Sequence, residues 1–303
     1  MTAAPLPRQP LVSLLASTAR SVLAAAWPLA REAGLGWYRD GAPSMGAALA
    51  FFTLFSMAPL LLLVIAIAGL AIGDDTARQL LFAQLADLLG TKGAEAVQGV
   101  LEAADDRTQG VIAATLSFAA LVVGAGGVFA ELRRDLDRIW RFEPPPWRGV
   151  WTALRRRFLS FGMVVTIGFL MMVSLVASAA ITAVGAHVVD GLPGSTLALR
   201  AIELVASLAV ITGLFAMVYK IIPSERLAWH DVWVGAAMTS LLFWIGKYLI
   251  GLYLGKSAIA SPFGAAGTLV VVIVWVYYSA QVFFLGAEFT RAYALRFGSR
   301  RGG

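Results

Sequence analysis

Residues 47–72 read AALAFFTLFSMAPLLLLVIAIAGLAI, 26 positions without one ionisable side chain. At about 1.5 Å rise per residue a helix of this length reaches about 39 Å. The hydrocarbon core of a bilayer is about 30 Å thick. A helix in a water-soluble core keeps one polar face, and this one has none. The segment is therefore read as a membrane span. Pro59, near its middle, is expected to kink or break it, because proline removes a hydrogen bond and clashes with the preceding turn.

Five further stretches carry the same signature. The expected spans are about 45–72, 110–130, 158–186, 201–221, 231–254 and 265–290. The fold class is thus an all-α integral membrane protein of six helices, forming one membrane domain. Composition agrees: 59% of residues are hydrophobic and 14% charged, against about 45–50% and about 25% in a typical soluble domain. There is no cysteine, which excludes disulfides, thiol catalysis and thiolate metal sites. Residues 11–30 imitate a signal peptide, but Arg20 interrupts them and Pro28, Arg31 and Glu32 follow. They are read as an amphipathic helix within a cytoplasmic arm over 1–44.

The basic residues set the orientation. With six spans, 18 of them fall on one side: Arg8, Arg20, Arg31 and Arg39, eight arginines from Arg133 to Arg157, Lys220 and Arg226, and four from Arg291 to Arg301. Only Arg78, Lys92, Arg107, Arg200 and Lys256 fall on the other. Basic loops stay in the cytoplasm, so both termini, including the tail over 291–303, are expected there.

The 73–109 segment is acidic, with Leu81, Leu85, Leu88, Leu89, Val97, Val100 and Leu101 at helical spacing. One or two amphipathic helices on the outer surface, or capping the bundle, are expected. A connecting hairpin is the plain reading; a lid over an entrance is the functional one. On the inner side, Arg133, Arg134, Arg138, Arg155, Arg156 and Arg157 surround Pro144-Pro145-Pro146 and its flanking tryptophans. This composition suits anionic lipid headgroups. The positive-inside bias accounts for it without a nucleic-acid partner.

Ionisable groups within spans are expensive and mark candidate sites. Glu203 and Lys247, on neighbouring antiparallel spans, are expected at similar depth and either pair or share a polar cavity. The alternative has Lys247 snorkelling outward and Glu203 capping its helix. Tyr277, Gln281 and Glu288 follow one helical face; Arg291 stands three residues beyond Glu288, in reach of a local ion pair, and Lys220 and the arginines after the second span are the other candidate partners. Ser174, Ser178 and Thr182, and the glycines Gly124, Gly126, Gly127, Gly251 and Gly255, are read as helix-packing positions.

The order of several short motifs resembles the YihY / virulence-factor BrkB family. They are Ala47 to Phe52 with Ser56 and Pro59; Leu132 with Asp135 through Trp140; Tyr219-Lys220 with Pro223; Trp233 and Gly235-Ala236; Lys247 and Tyr253; Phe263-Gly264 with Gly267; and Trp275 with Leu285-Gly286-Ala287-Glu288. Asp137 stands where the family often has asparagine, and Pro262-Phe263 where isoleucine-tyrosine is more usual. The resemblance implies a six-helix bacterial inner-membrane protein. Members have long carried a ribonuclease label, and the residues argue against it. Metal-dependent hydrolysis needs clustered ligands. The two histidines, His187 and His230, fall on opposite sides, and no Ser-His-Asp set or phosphate-binding loop is present.

The reading is therefore a non-enzymatic membrane protein without metal or cofactor. Its partners are membrane lipids, and its oligomeric state is left open. A transporter or flippase-like role for a small or amphipathic solute leads. A non-transporting scaffold or envelope-integrity factor is the alternative.

Overall fold

The computed structural model describes residues 27–105, 111–143, 195–224, 226–256 and 267–301. Every regular element among them is a helix. Chain order is α1 (27–39), α2 (Ala42–Ile72), α3 (Asp74–Asp105), α4 (Val111–Ile139), α5 (Ser195–Ile221), α6 (Trp229–Lys256) and α7 (Gly267–Arg296). The expected N-terminal helix over 11–30 lies mostly outside the described residues. The third expected span, the triple proline, His187, Ser174, Ser178, Thr182, Arg155, Arg156 and Arg157 lie wholly outside them.

Two described helices are long and apolar enough to cross a bilayer, Trp229–Tyr253 and Leu269–Arg296. A third qualifies if Ala42–Met57 and Pro59–Leu70 count as one bent span, the two parts meeting at 44° around Pro59. Ser207–Ile221 is a shorter apolar helix. The membrane character of the fold thus rests on two to three such spans among the described residues.

Glycines punctuate α2 at both ends. Gly41 takes φ 76°, the left-handed region that a side chain disfavours, and turns α1 into α2 with Pro43 in the first helical turn. Gly73 takes φ 86° and donates its N–H to Gly69 O at 2.8 Å. Asp74 and Asp75 then open α3, where carboxylates oppose the positive helix terminus.

Helix α3 is continuous over 32 residues. It lies against α2, α6 and α7, placing Val97 and Leu101 beside Leu61, Ile65 and Val272, with Leu81 and Leu85 packed on that cluster. Leu81, Leu85, Val97 and Leu101 of its apolar stripe therefore pack onto α2 and α7. The most extensive of the other contacts join α6 to α7 and α2 to α4, followed by α2 to α7 and α5 to α6. A second apolar cluster sits where these meet and includes Leu136, Ile139, Trp140, Tyr219, Val232 and Phe284.

Small residues let the helices approach. A methyl group at Gly124 would stand 3.0 Å from the Ser56 backbone nitrogen, so α4 touches the α2 backbone there. Between α6 and α7 the arrangement is reciprocal. Thr290 faces Gly235, and Thr239 faces Gly286. Each threonine hydroxyl donates to the carbonyl one turn back, Thr239 to Gly235 O and Thr290 to Gly286 O, both at 2.7 Å. The polar atoms are satisfied within their own helices while the partner glycines make room. Phe51, Phe55, Leu70, Val205, Leu249 and Leu252 point outward, more than half exposed. Apolar surface of that extent suits a lipid solvent.

Candidate functional site

The ionisable groups buried among the described residues gather at one end of the bundle, formed by Asp40, the end of α4, the start of α6 and the end of α7. This is termed the basic end, after the arginines around it. Asp231 is 2% exposed and accepts from Ser299 Oγ at 2.6 Å, tying the chain after α7 to α6. Asp137 is 4% exposed and accepts from Ser224 N at 2.7 Å and Ser224 Oγ at 2.8 Å, joining α4 to the α5–α6 turn. Arg133 donates to Ile222 O at 3.0 Å in the same turn. Lys220 donates to Leu227 O, with its ammonium 5.3 Å from the Trp229 ring centroid. These groups are paired as buried polar atoms must be.

Three carboxyl groups keep an oxygen without a donor: Asp135 on α4, and Asp40 and Glu288, which lie together. Asp40, in the turn between α1 and α2, receives Arg141 on Oδ1 at 2.7 Å, and its Oδ2 is buried without a partner. Glu288, on α7, approaches Arg291 only at 3.7 Å, and its Oε1 is buried without a partner. The two carboxyl groups meet. Helix α1 closes over them, since a methyl group at Gly36 would stand 2.7 Å from the Glu288 carboxyl carbon. Arg138 reaches the same turn, donating to Asp40 O at 3.4 Å.

Gln281 lies two turns earlier on α7. Its Nε2 donates to Ala42 O at 3.3 Å, at the start of α2, while its Oε1 is buried and unpartnered. Gln281 and Glu288 thus both address the α1–α2 junction. Tyr277, on the same face, is half-buried. A tighter polar web lies alongside: the buried Tyr219 hydroxyl donates to Phe283 O at 2.7 Å and stands 3.1 Å from Thr239 Oγ1.

Of the other residues singled out from the sequence, Lys247 is half-buried on α6. Glu203 lies on α5, and its side chain is outside the described residues. Arg134 is 71% exposed and pairs with Glu131 at 2.9 Å. Arg133 and Arg138 tie α4 to neighbouring turns, as above. Sequence reading missed Asp40 and the burial of Asp135 and Asp137. The available signal for Asp40 was a carboxylate wedged between Arg39 and the helix-breaking Gly41 at the edge of a span.

Comparison with known proteins fits this architecture. A UPF0761 membrane protein from Delftia acidovorans is 28% identical over 57% of this chain and 40% of its own length. One from Pseudomonas aeruginosa strain LESB58 is 26% identical over 82% of this chain and 58% of its own. One from Psychromonas ingrahamii is 27% identical over 80% and 79%. The chain spans about half the length of the first two of these relatives. No solved structure matches. The family profile described as Virulence factor BrkB matches residues 35–303, from within α1 to the last residue, and the chain belongs to that family of membrane proteins.

Proposed function

We propose that this protein moves a small or amphipathic solute across a bacterial inner membrane, with the Asp40–Glu288 carboxyl pair at the inward-facing end of its path. The observation that carries this reading is Glu288, on an apolar helix, 2% exposed, set against the Asp40 carboxyl and with one oxygen that receives no donor. Such a group costs stability, and a purely structural bundle gains nothing from keeping it. The neighbouring Asp40 Oδ2 and Gln281 Oε1 share the condition. Together they form a polar track along α7 to the α1–α2 junction. The bend at Pro59 supplies a discontinuity of the kind that transport helices use. The 18-to-5 asymmetry of basic residues supports placing this end in the cytoplasm. The chemistry is binding and passage rather than bond cleavage.

A specific observation favours the second reading, a non-transporting scaffold. Helix α1 seals Glu288 at Gly36. A cleft of about 510 Å3 at the same end is lined by α4, Ser44 and Met45 and not by Glu288. Transport therefore requires α1 to swing away from α7.

Glu288→Gln and Asp40→Asn separate the two readings. Each variant is scored for accumulation, melting temperature, and the lipid and metabolite profile of a deletion strain that carries it. Transport predicts that both variants fold and melt normally yet fail to restore the profile. A scaffold predicts that any loss of rescue tracks a loss of stability. Normal folding with full rescue would remove the pair from function.

A further inference from the structure

The cleft beside α4 has a chemistry of its own. Its lining brings together Glu131, Arg134, Asp135, Asp137, Arg138 and Glu143, with Ser44 and Met45 from α2. Four carboxylates face two guanidinium groups, so the lining is net acidic within an arginine-rich surface. Most of these charges are already engaged. Glu131 pairs with Arg134, Asp137 takes two hydrogen bonds from Ser224, and Arg138 donates to Asp40 O. Asp135 differs. It is 4% exposed, lines the cleft, and its Oδ2 has no partner. A buried carboxylate oxygen without a donor costs free energy until something positive or proton-bearing reaches it.

From this arrangement we propose that the cleft binds a primary ammonium group, with Asp135 as its counter-ion. The size fits. A volume of about 510 Å3 lies within the usual range for small-molecule sites and far exceeds the coordination sphere of one metal ion. The donor set points the same way. A hard divalent cation wants about six oxygen ligands, and among the described residues no three carboxylate or histidine side chains converge as metal ligands. An ammonium group carries three donors. Asp135, the Ser44 hydroxyl and Glu131 offer acceptors on one lining. A quaternary ammonium would instead call for an aromatic cage, and Phe142 is the one aromatic side chain in the lining. The rim arginines Arg134 and Arg138 suit an anionic group on the same molecule. Burial pushes the Asp135 carboxyl up to about 7, with Glu131 adding to the rise and Arg138 and Arg134 opposing it. Ammonium and anion together are the chemistry of an aminoalkyl phosphate, which an amine-bearing lipid headgroup or a free metabolite could supply. The inference stands whether or not the bundle transports.

The test titrates the full chain in a non-ionic micelle with ethanolamine at pH 8, reading melting temperature and heat of binding. Saturable binding is expected, weakened at least tenfold by Asp135→Asn and unchanged by Asp75→Asn at the far end. Asparagine keeps the shape of the side chain and removes the buried charge. If Asp135→Asn does not accumulate, Glu131→Gln takes its place, with an expected loss of threefold or more. Repeating the titration in nanodiscs identifies the source. Binding lost only when phosphatidylethanolamine is present assigns the site to a lipid headgroup; binding retained in both assigns it to a free amine. Absence of saturable binding in the micelle, or equal binding by the wild-type chain and the carboxamide variant, would overturn the proposal.

Discussion

The two ends of the bundle solve the same packing problem by opposite means. Where α3 lies on α2 and α7, the contact is aliphatic: Leu61, Ile65, Val97, Leu101 and Val272 interlock. Its charges stay outside, as in Lys92 with Glu95 at 3.1 Å, both about two-thirds exposed. At the basic end, Asp40, Asp135, Asp137, Asp231 and Glu288 are all at most 5% exposed. Two of them, Asp137 and Asp231, are well paired with protein groups. Three carboxylate oxygens, on Asp40, Asp135 and Glu288, are left over. One end stabilises the fold, and the other carries polarity beyond what the fold needs. Function is expected at the second.

Three substitutions probe that contrast, beginning with the contact that holds the basic end together. Gly286→Val would drive a branched side chain into Thr239 and Tyr219 and part α6 from α7. A loss of about 3 kcal/mol or more is expected, read as failure to accumulate in the membrane, since a packed core resists added volume. A well-folded Gly286→Val variant would mean that this crossing is looser than described.

The next effect is a pH dependence at Asp135, which lies beyond the apolar part of α4. Its folded carboxyl keeps its proton up to about 7, whereas unfolded chain releases it near 3.8. Between these values the folded state binds more protons than the unfolded. Stability from this group is therefore full below about pH 4 and falls as pH rises to 7. At about 1.4 kcal/mol per unit the shift is worth at most about 4 kcal/mol. Thermal melts from pH 4.5 to 8 should show the slope in the wild-type chain and a flatter profile in Asp135→Asn. Parallel profiles would show that the carboxyl is already ionised in the fold.

The smallest effect belongs to the other end. Lys92→Ala should change stability by less than about 0.5 kcal/mol, because exposed ion pairs are screened and mobile. A larger loss in chemical denaturation would mean that α3 is held by its charges after all.

Much of the fold was legible because lipid imposes one strong pattern. The residues expected to span at 201–221, 231–254 and nearly all of 110–130 are helical, within α5, α6 and α4, although of these three only α6 is long and apolar enough to cross a bilayer. Periodicity does not register that α4 continues to Ile139 once its apolar run stops. Glu288 was visible as a charge in an oily helix. Asp40 was not, because its partner Arg141 is 101 positions away and no local pattern joins them. The run Arg133-Arg134-Asp135-Leu136-Asp137-Arg138 was weighed for its arginines. Folding turns that weighting around: Arg134 and Arg138 face outward while Asp135 and Asp137 are buried. Counting charge sets the side of the membrane, whereas the face of the helix decides which charge is buried.

The central claim is that the α3 end and the basic end face opposite sides of a bilayer. The chain contains no cysteine, so single replacements are unambiguous reporters. Glu95→Cys and Glu143→Cys, both at exposed positions, can be challenged in intact cells with a membrane-impermeant maleimide. Labelling of residue 95 in intact cells, and of residue 143 only after lysis, is the predicted result. Labelling of 143 in intact cells, or of both positions alike, would contradict it.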